Sequence, residues 1–134
     1  LILPLFVLFI VGIFELGRAF FAFIAISNAA REGARVVTFW PGKTAITDVT
    51  TAVTDEIGSS PMVREDKIDS IQIECVLPPY PAPTLTTVTT DTALKDCSTM
   101  QSVRVTVTYQ FDLILNFLSP GPLMLRRSAE MMVP

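Results

Sequence analysis

Residues 1–39 read LILPLFVLFIVGIFELGRAFFAFIAISNAAREGARVVTF, and this stretch decides the fold. From Leu1 to Ile26 every residue is hydrophobic except Pro4, Gly12, Glu15, Gly17 and Arg18, and six of the chain's nine phenylalanines lie there. As a helix rising about 1.5 Å per residue, that run reaches roughly 39 Å, more than the ~30 Å hydrocarbon thickness of a bilayer. Pro4 falls in the first turn, where its missing N–H breaks no hydrogen bond. Beyond Ile26 the pattern turns amphipathic without a stop signal. Ile26, Ala30, Ala34 and Val37 share one face, while Ser27, Asn28, Arg31, Glu32 and Arg35 are polar. Pro41-Gly42 is the first strong breaker. The pattern predicts one continuous helix from about Ile2 to Phe39, kept in the working molecule rather than removed as a secretory signal.

Working outward, the 134-residue chain is 50% hydrophobic, and outside the rod the share falls to roughly 43%, close to an ordinary globular domain. A second, shorter helix is expected after Thr44 as N-cap, with Ile46, Val49, Val53 and Ile57 on its apolar face and Gly58 closing it. From Ile68 the period changes to two. Ile71, Ile73, Cys75 and Leu77 alternate with polar neighbours until Pro78, and Val103, Val105, Val107, Tyr109 and Phe111 do the same. A third strand is expected from Leu125 to Val133, where Arg127 interrupts the apolar face of Leu125, Ala129, Met131 and Val133. The fold class is therefore α+β: a long hydrophobic helix over residues 1–40, and a head over residues 41–134 holding the second helix and a small antiparallel sheet of about three strands.

Composition removes several functions. With no histidine, the chain lacks a Ser-His-Asp or Cys-His system and any His-containing zinc site, and two cysteines cannot build a zinc cage. The net charge of −3 and the absence of a basic run argue against nucleic acid as a partner. No phosphate-binding glycine motif occurs, so no cofactor is expected, and no nucleophile motif points to an enzyme. Glu65, Asp66 and Asp69 cluster beside Arg64 and Lys67, which reads as a solvated charged turn rather than a metal or acid/base site.

Four features remain as candidate functional residues. Cys75 and Cys97 bracket a Pro/Thr-rich loop, and in an exported protein such a pair is expected to form a disulfide; closing about 22 residues stabilises by about 3 kcal/mol in the loop-entropy model. Glu15 and Arg18, three apart on an apolar helix, are expected to pair. They either fix the register of the helix against neighbouring copies or mark the membrane interface, with Arg18 snorkelling outward. Ala25, Ala29 and Gly33, with Ala30 and Ala34, form a small-xxx-small stripe that either packs against other subunits or seats the chain's own sheet. Finally Thr84, Thr86, Thr87, Thr89, Thr90 and Thr92 are either O-linked sugar acceptors or a bare solvated loop, read as too polar and Pro-rich for a core element.

The rod followed by Asn28-Ala29-Ala30-Arg31-Glu32-Gly33-Ala34-Arg35, with Gly12-Ile13-Phe14-Glu15 and Gly17-Arg18 inside it, resembles the N-terminal helix of TadE-like proteins, the pilin-related family of tight-adherence (Flp-type) systems. The resemblance is strong over roughly the first 40 residues and weak beyond them. It implies insertion in the cytoplasmic membrane with the head outside, then extraction into an extracellular helical filament of the Tad pilus. Copies of this chain are the expected partners, with other pilins beside them, and Gly12 and Gly17 join the small stripe as expected subunit contacts. The glutamate that the family usually carries a few residues before the proline is not in this sequence, and Glu15 with Arg18 is expected to take over part of its pairing role. The alternatives are a minor pilin that primes assembly from the membrane and a single-span extracellular binding module using the Thr/Pro loop.

Overall fold

The computed structural model describes residues 2–78, 83–97, 101–114 and 121–134. Its first element, α1, is one unbroken helix of 38 residues from Ile2 to Phe39, about 57 Å long at the standard rise. The helix ends as Pro41-Gly42 turns the chain, with Gly42 at φ 73°, a left-handed conformation that a Cβ would strain. Thr44 lies beyond this turn, and its buried hydroxyl donates to the carbonyls of Trp40 and Val36 at 3.0 and 3.3 Å. It therefore closes α1, satisfying acceptors left over at a helix end, and is not the N-cap of the second helix.

That helix, α2 (Ile46–Gly58), starts from Ala45, and carboxylates do the capping. Asp48 accepts from the Ala45 N–H at 2.9 Å, and Asp91 accepts from the Ile46 N–H at 2.8 Å. Negative charge at a helix N-terminus suits its dipole, which releases Thr44 for the other helix. Val49, Val53 and Ile57 are fully buried along one face of α2, as their spacing predicts.

A 3₁₀ turn at Glu65–Lys67 leads into β1 (Ile68–Leu77); then come β2 (Thr84–Thr87), a one-turn helix α3 (Asp91–Lys95), β3 (Ser102–Phe111) and β4 (Leu123–Met132). The sheet is antiparallel throughout, in the order β2-β1-β3-β4. There are four strands rather than about three. The additional one, β2, pairs Thr84 to Thr87 with Leu77 to Glu74 through its backbone while all four of its side chains stay exposed. It buries nothing, so it leaves no alternating apolar signal. Val88 and Leu94, on either side of the α3 start, are buried, so the Pro/Thr segment does reach the core at two points. Pro79 and Pro81, part of that segment, lie outside the described residues, as does Leu1.

α1 lies across β3 and β4 and packs against α2. Ala22, Ala25, Ile26, Ala29, Ala30 and Ala34 on the helix and Ile73, Val103, Val105 and Val107 on the sheet make one buried cluster. The alanines bring the helix backbone close to the sheet, and at Gly33 the approach is closest. A Cβ there would stand 2.7 Å from Val53 Cγ2 of α2 and 3.2 Å from Val105 Cγ1 of β3. The head expected over residues 41–134 thus extends back along α1 as far as Glu15, because the upper half of the helix is the centre of its core.

Candidate functional site

The side chains that no part of the chain covers are concentrated at the start of α1. Ile2, Leu3, Leu5, Phe6, Val7, Leu8, Phe9, Ile10, Ile13 and Phe14 are all large, apolar and exposed, from 46% at Leu8 to 82% at Ile2. They run around the whole circumference of the helix over about 20 Å. A helix that is hydrophobic all round has to be buried in lipid or protein. α1 is long and apolar enough to cross a membrane.

The bare rod ends at Glu15, which is only 6% exposed. Its carboxylate accepts from Arg18 Nη1 at 3.2 and 3.3 Å and from the backbone N–H of Ile114, just beyond β3, at 3.1 Å. Arg18 in turn lies 5.2 Å above the ring of Phe111, the last residue of β3. Both expected roles for this pair had looked outward from the helix. The structure turns Glu15 inward, as a latch that holds the end of β3 to α1. Higher up, the Arg127 guanidinium of β4 lies 4.2 Å over the ring of Phe23. Arg127 thus interrupts the apolar strand face as expected but is stacked there on an aromatic partner from α1, a cation–π contact. Its Nε has no hydrogen-bond partner among the described residues.

The small-residue stripe divides between Gly17 and Ala25. Ala25, Ala29, Ala30, Gly33 and Ala34 are all buried in the chain's own core, so the packing they serve is with the sheet and α2 rather than between subunits. Gly12 and Gly17 are different: a Cβ on either would meet nothing within 4 Å. Close approach by another helix is therefore open at Gly12 and Gly17 and closed at the other five.

Toward the β1–β2 edge of the sheet Cys75 and Cys97 are paired across the excursion that holds β2 and α3, with their Cα atoms 6.0 Å apart. The six threonines are exposed on that excursion. The Thr90 hydroxyl is engaged, accepting from Ala93 N–H at 3.2 Å as the N-cap of α3. The charged turn is held by ion pairs: Arg64 with Asp66 at 2.9 Å and Lys67 with Asp112 at 2.7 Å, while Asp69 accepts from Gln110 at 3.0 Å. The Asp112 hydrogen bond and charge raise the Lys67 pKa above its usual value. These carboxylates brace the entry to β1 against the end of β3.

An exposed apolar rod, a buried acid–arginine pair at its upper limit and a helix that continues into a β-head make a pilin-like arrangement. The helix is TadE-like. Residues 1–35 match the model of the family described as TadE-like protein, a match that covers the exposed rod, the Glu15 latch and the buried small-residue stripe. No curated protein and no solved structure matches the chain. The TadE-like helix, its membrane-crossing length and its disulfide-bonded head fit a membrane-anchored protein associated with a Tad pilus. What the sequence did not single out is the set of partners that α1 finds on β3 and β4: Phe111, Ile114 and Arg127. Only Arg127 carried a signal, as a cation standing in an apolar strand face.

Proposed function

We propose that this chain is a structural pilin subunit, held in the cytoplasmic membrane by α1 and then polymerised through that helix into an extracellular Tad-type filament. The observation that carries the reading is the uncovered rod. Each large side chain between Ile2 and Phe14 is worth about 1.5 to 3 kcal/mol on burial from water, so the segment leaves lipid only for an equally apolar surrounding. Packing of copies through a heterologous, non-closing contact supplies one and generates an open helix. The rods of such a filament would meet along the lower part of α1, where Gly12 and Gly17 permit close approach. No catalytic role and no cofactor enters this reading, and its partners are further copies, other pilins and the membrane.

The same geometry favours a second reading, a minor pilin that primes assembly and stays in the membrane. Five of the seven small residues expected to contact subunits are spent inside the chain, which shortens the helix surface left for neighbouring subunits. Microscopy of filaments sheared from cells, with peptide identification of their subunits, separates the two. Abundant peptides from this chain in filaments support the structural subunit; recovery from membranes alone, at trace level, sinks it.

A further inference from the structure

Two apolar features lie at opposite ends of α1, and among the described residues nothing covers either. At the lower end Gly12, with no side chain, leaves a groove of about 650 Å³ walled by Leu5, Leu8, Phe9 and Leu16. At the upper end Phe39 and Trp40 are 66% and 59% exposed, with ring centroids 6.1 Å apart. The aromatic pair is fixed in place. Phe39 is the last residue of the helix, and the Arg35 guanidinium stands 5.9 Å over its ring. The Trp40 carbonyl accepts from the Lys43 N–H at 3.1 Å and from the Thr44 hydroxyl at 3.0 Å. Exposed aromatic side chains on a rigid support are the usual centre of a protein interface. Lipid does not reach this pair while the rod spans a membrane. Phe39 lies about 22 Å above Ile24, the last large exposed apolar side chain below it, and Asn28, Arg31 and Arg35 are exposed in between.

We infer that the Phe39–Trp40 pair of one copy fills the Gly12 groove of the next, so that copies stack head to tail along α1. The pitch of the helix arranges this. Gly12 and Phe39 are about 40 Å apart along the axis and about seven and a half turns apart around it, which puts the groove and the aromatic pair on opposite faces. A copy displaced along the axis with its helix parallel therefore turns its aromatic face toward the groove of its neighbour. The contact joins two different surfaces and leaves one of each unfilled at the ends, so it extends without closing. Charge agrees with the match. The rod from Ile2 to Phe14 carries none, and beside Phe39 the Glu32 and Arg35 side chains neutralise each other at 3.3 Å. The stripe from Ala25 to Ala34 offers no competing groove, because the chain's own core fills it.

This inference rests on the reading of the chain as a filament subunit, and one experiment separates the two. A benzophenone amino acid takes the place of Trp40 in the full chain, produced in its own cells; sheared filaments are irradiated and their cross-linked peptides sequenced. A link from position 40 to residues 2–14 is expected. Within one chain those residues lie more than about 35 Å from position 40 along the helix, beyond the reach of the probe, so such a link joins two copies. Filaments that contain this chain but link position 40 only to other surfaces, or not at all, overturn the seat and leave the filament reading standing. Recovery of the chain from membranes alone overturns both. The double variant Phe39→Ser with Trp40→Ser is expected to lower filament yield at least about tenfold without changing the melting temperature in detergent, since both side chains are exposed. A normal filament yield from that variant overturns the seat as well.

Discussion

The carboxylate of Glu15 accepts the backbone N–H of Ile114 at 3.1 Å, joining positions 99 residues apart in the chain. With Arg18 on its other side, Glu15 is the lowest polar contact between helix and head among the described residues. Removing one member of a buried pair strands the other, at about 3 to 5 kcal/mol when both are fully covered. Arg18 keeps some access to solvent, so Glu15→Ala is expected to cost about 3 kcal/mol, the lower end of that range. Glu15→Gln, which still accepts from Ile114, should lose less. Urea unfolding of the full chain in detergent, followed by near-ultraviolet dichroism of the head, reads the difference. An E15A protein as stable as the parent would show that the latch does not hold the head to the helix.

Gly33 and Gly12 lie on one helix but answer to different neighbours. At Gly33 a methyl group would collide with Val53 and crowd Val105, and overpacking of this kind costs about 1 to 3 kcal/mol against a gain of about 1 kcal/mol in helix propensity. Gly33→Val adds two further carbons to the same space and is expected to lower the melting temperature of the isolated chain. At Gly12 nothing obstructs, so Gly12→Leu should leave that temperature unchanged while reducing filament yield, if rods meet there. A G12L chain that assembles normally would place subunit contacts elsewhere on α1.

The helical rod and two of the strands were legible because each carries a sustained period: apolar residues nearly all round from Ile2 to Ile24, then alternation from Ile71 to Leu77 and from Val103 to Phe111; β4 was legible through the same alternation interrupted at Arg127. Thr44 was misread because a threonine between two helices can serve the end of one or the start of the other, and the deciding partner, Asp91, comes far later in the chain. β2 was missed because an edge strand that pairs only by its backbone need not alternate. The stripe from Ala25 to Ala34 was legible as a close-packing surface, but small residues do not say whether the approaching surface belongs to the same chain. That depends on the register of α1 over β3 and β4, which long-range contacts such as Glu15 to Ile114 set.

Cys75 leaves β1 toward the excursion holding β2 and α3, and Cys97 returns from it; both are buried, with Val88 and Leu94 beneath the same segment. A cross-link over about 22 residues restricts the unfolded chain by about 3 kcal/mol. Replacing both cysteines by serine should lower the unfolding free energy by that order, and reducing the parent with dithiothreitol should reproduce most of the loss. Insensitivity to both treatments would mean that the bridge does not constrain the unfolded chain.

Lys67 and Asp112 tie the start of β1 to the end of β3, and their pH dependence has a definite sign. The Asp112 hydrogen bond and charge raise the Lys67 pKa above the ordinary value of 10.5, so the folded chain holds this proton more tightly than the unfolded one. Stabilisation from the pair is then fully present below the unfolded lysine value and fades as pH rises through the higher folded value. The stability difference between the parent and Lys67→Met should accordingly stay flat from neutral pH to about pH 9 and shrink above about pH 10.5. Denaturant titrations of both proteins across that range give the difference directly. A difference that grows with alkalinity would have the wrong sign for a lysine stabilised in its charged form, and would mean that Asp112 does not hold the Lys67 proton in the folded head.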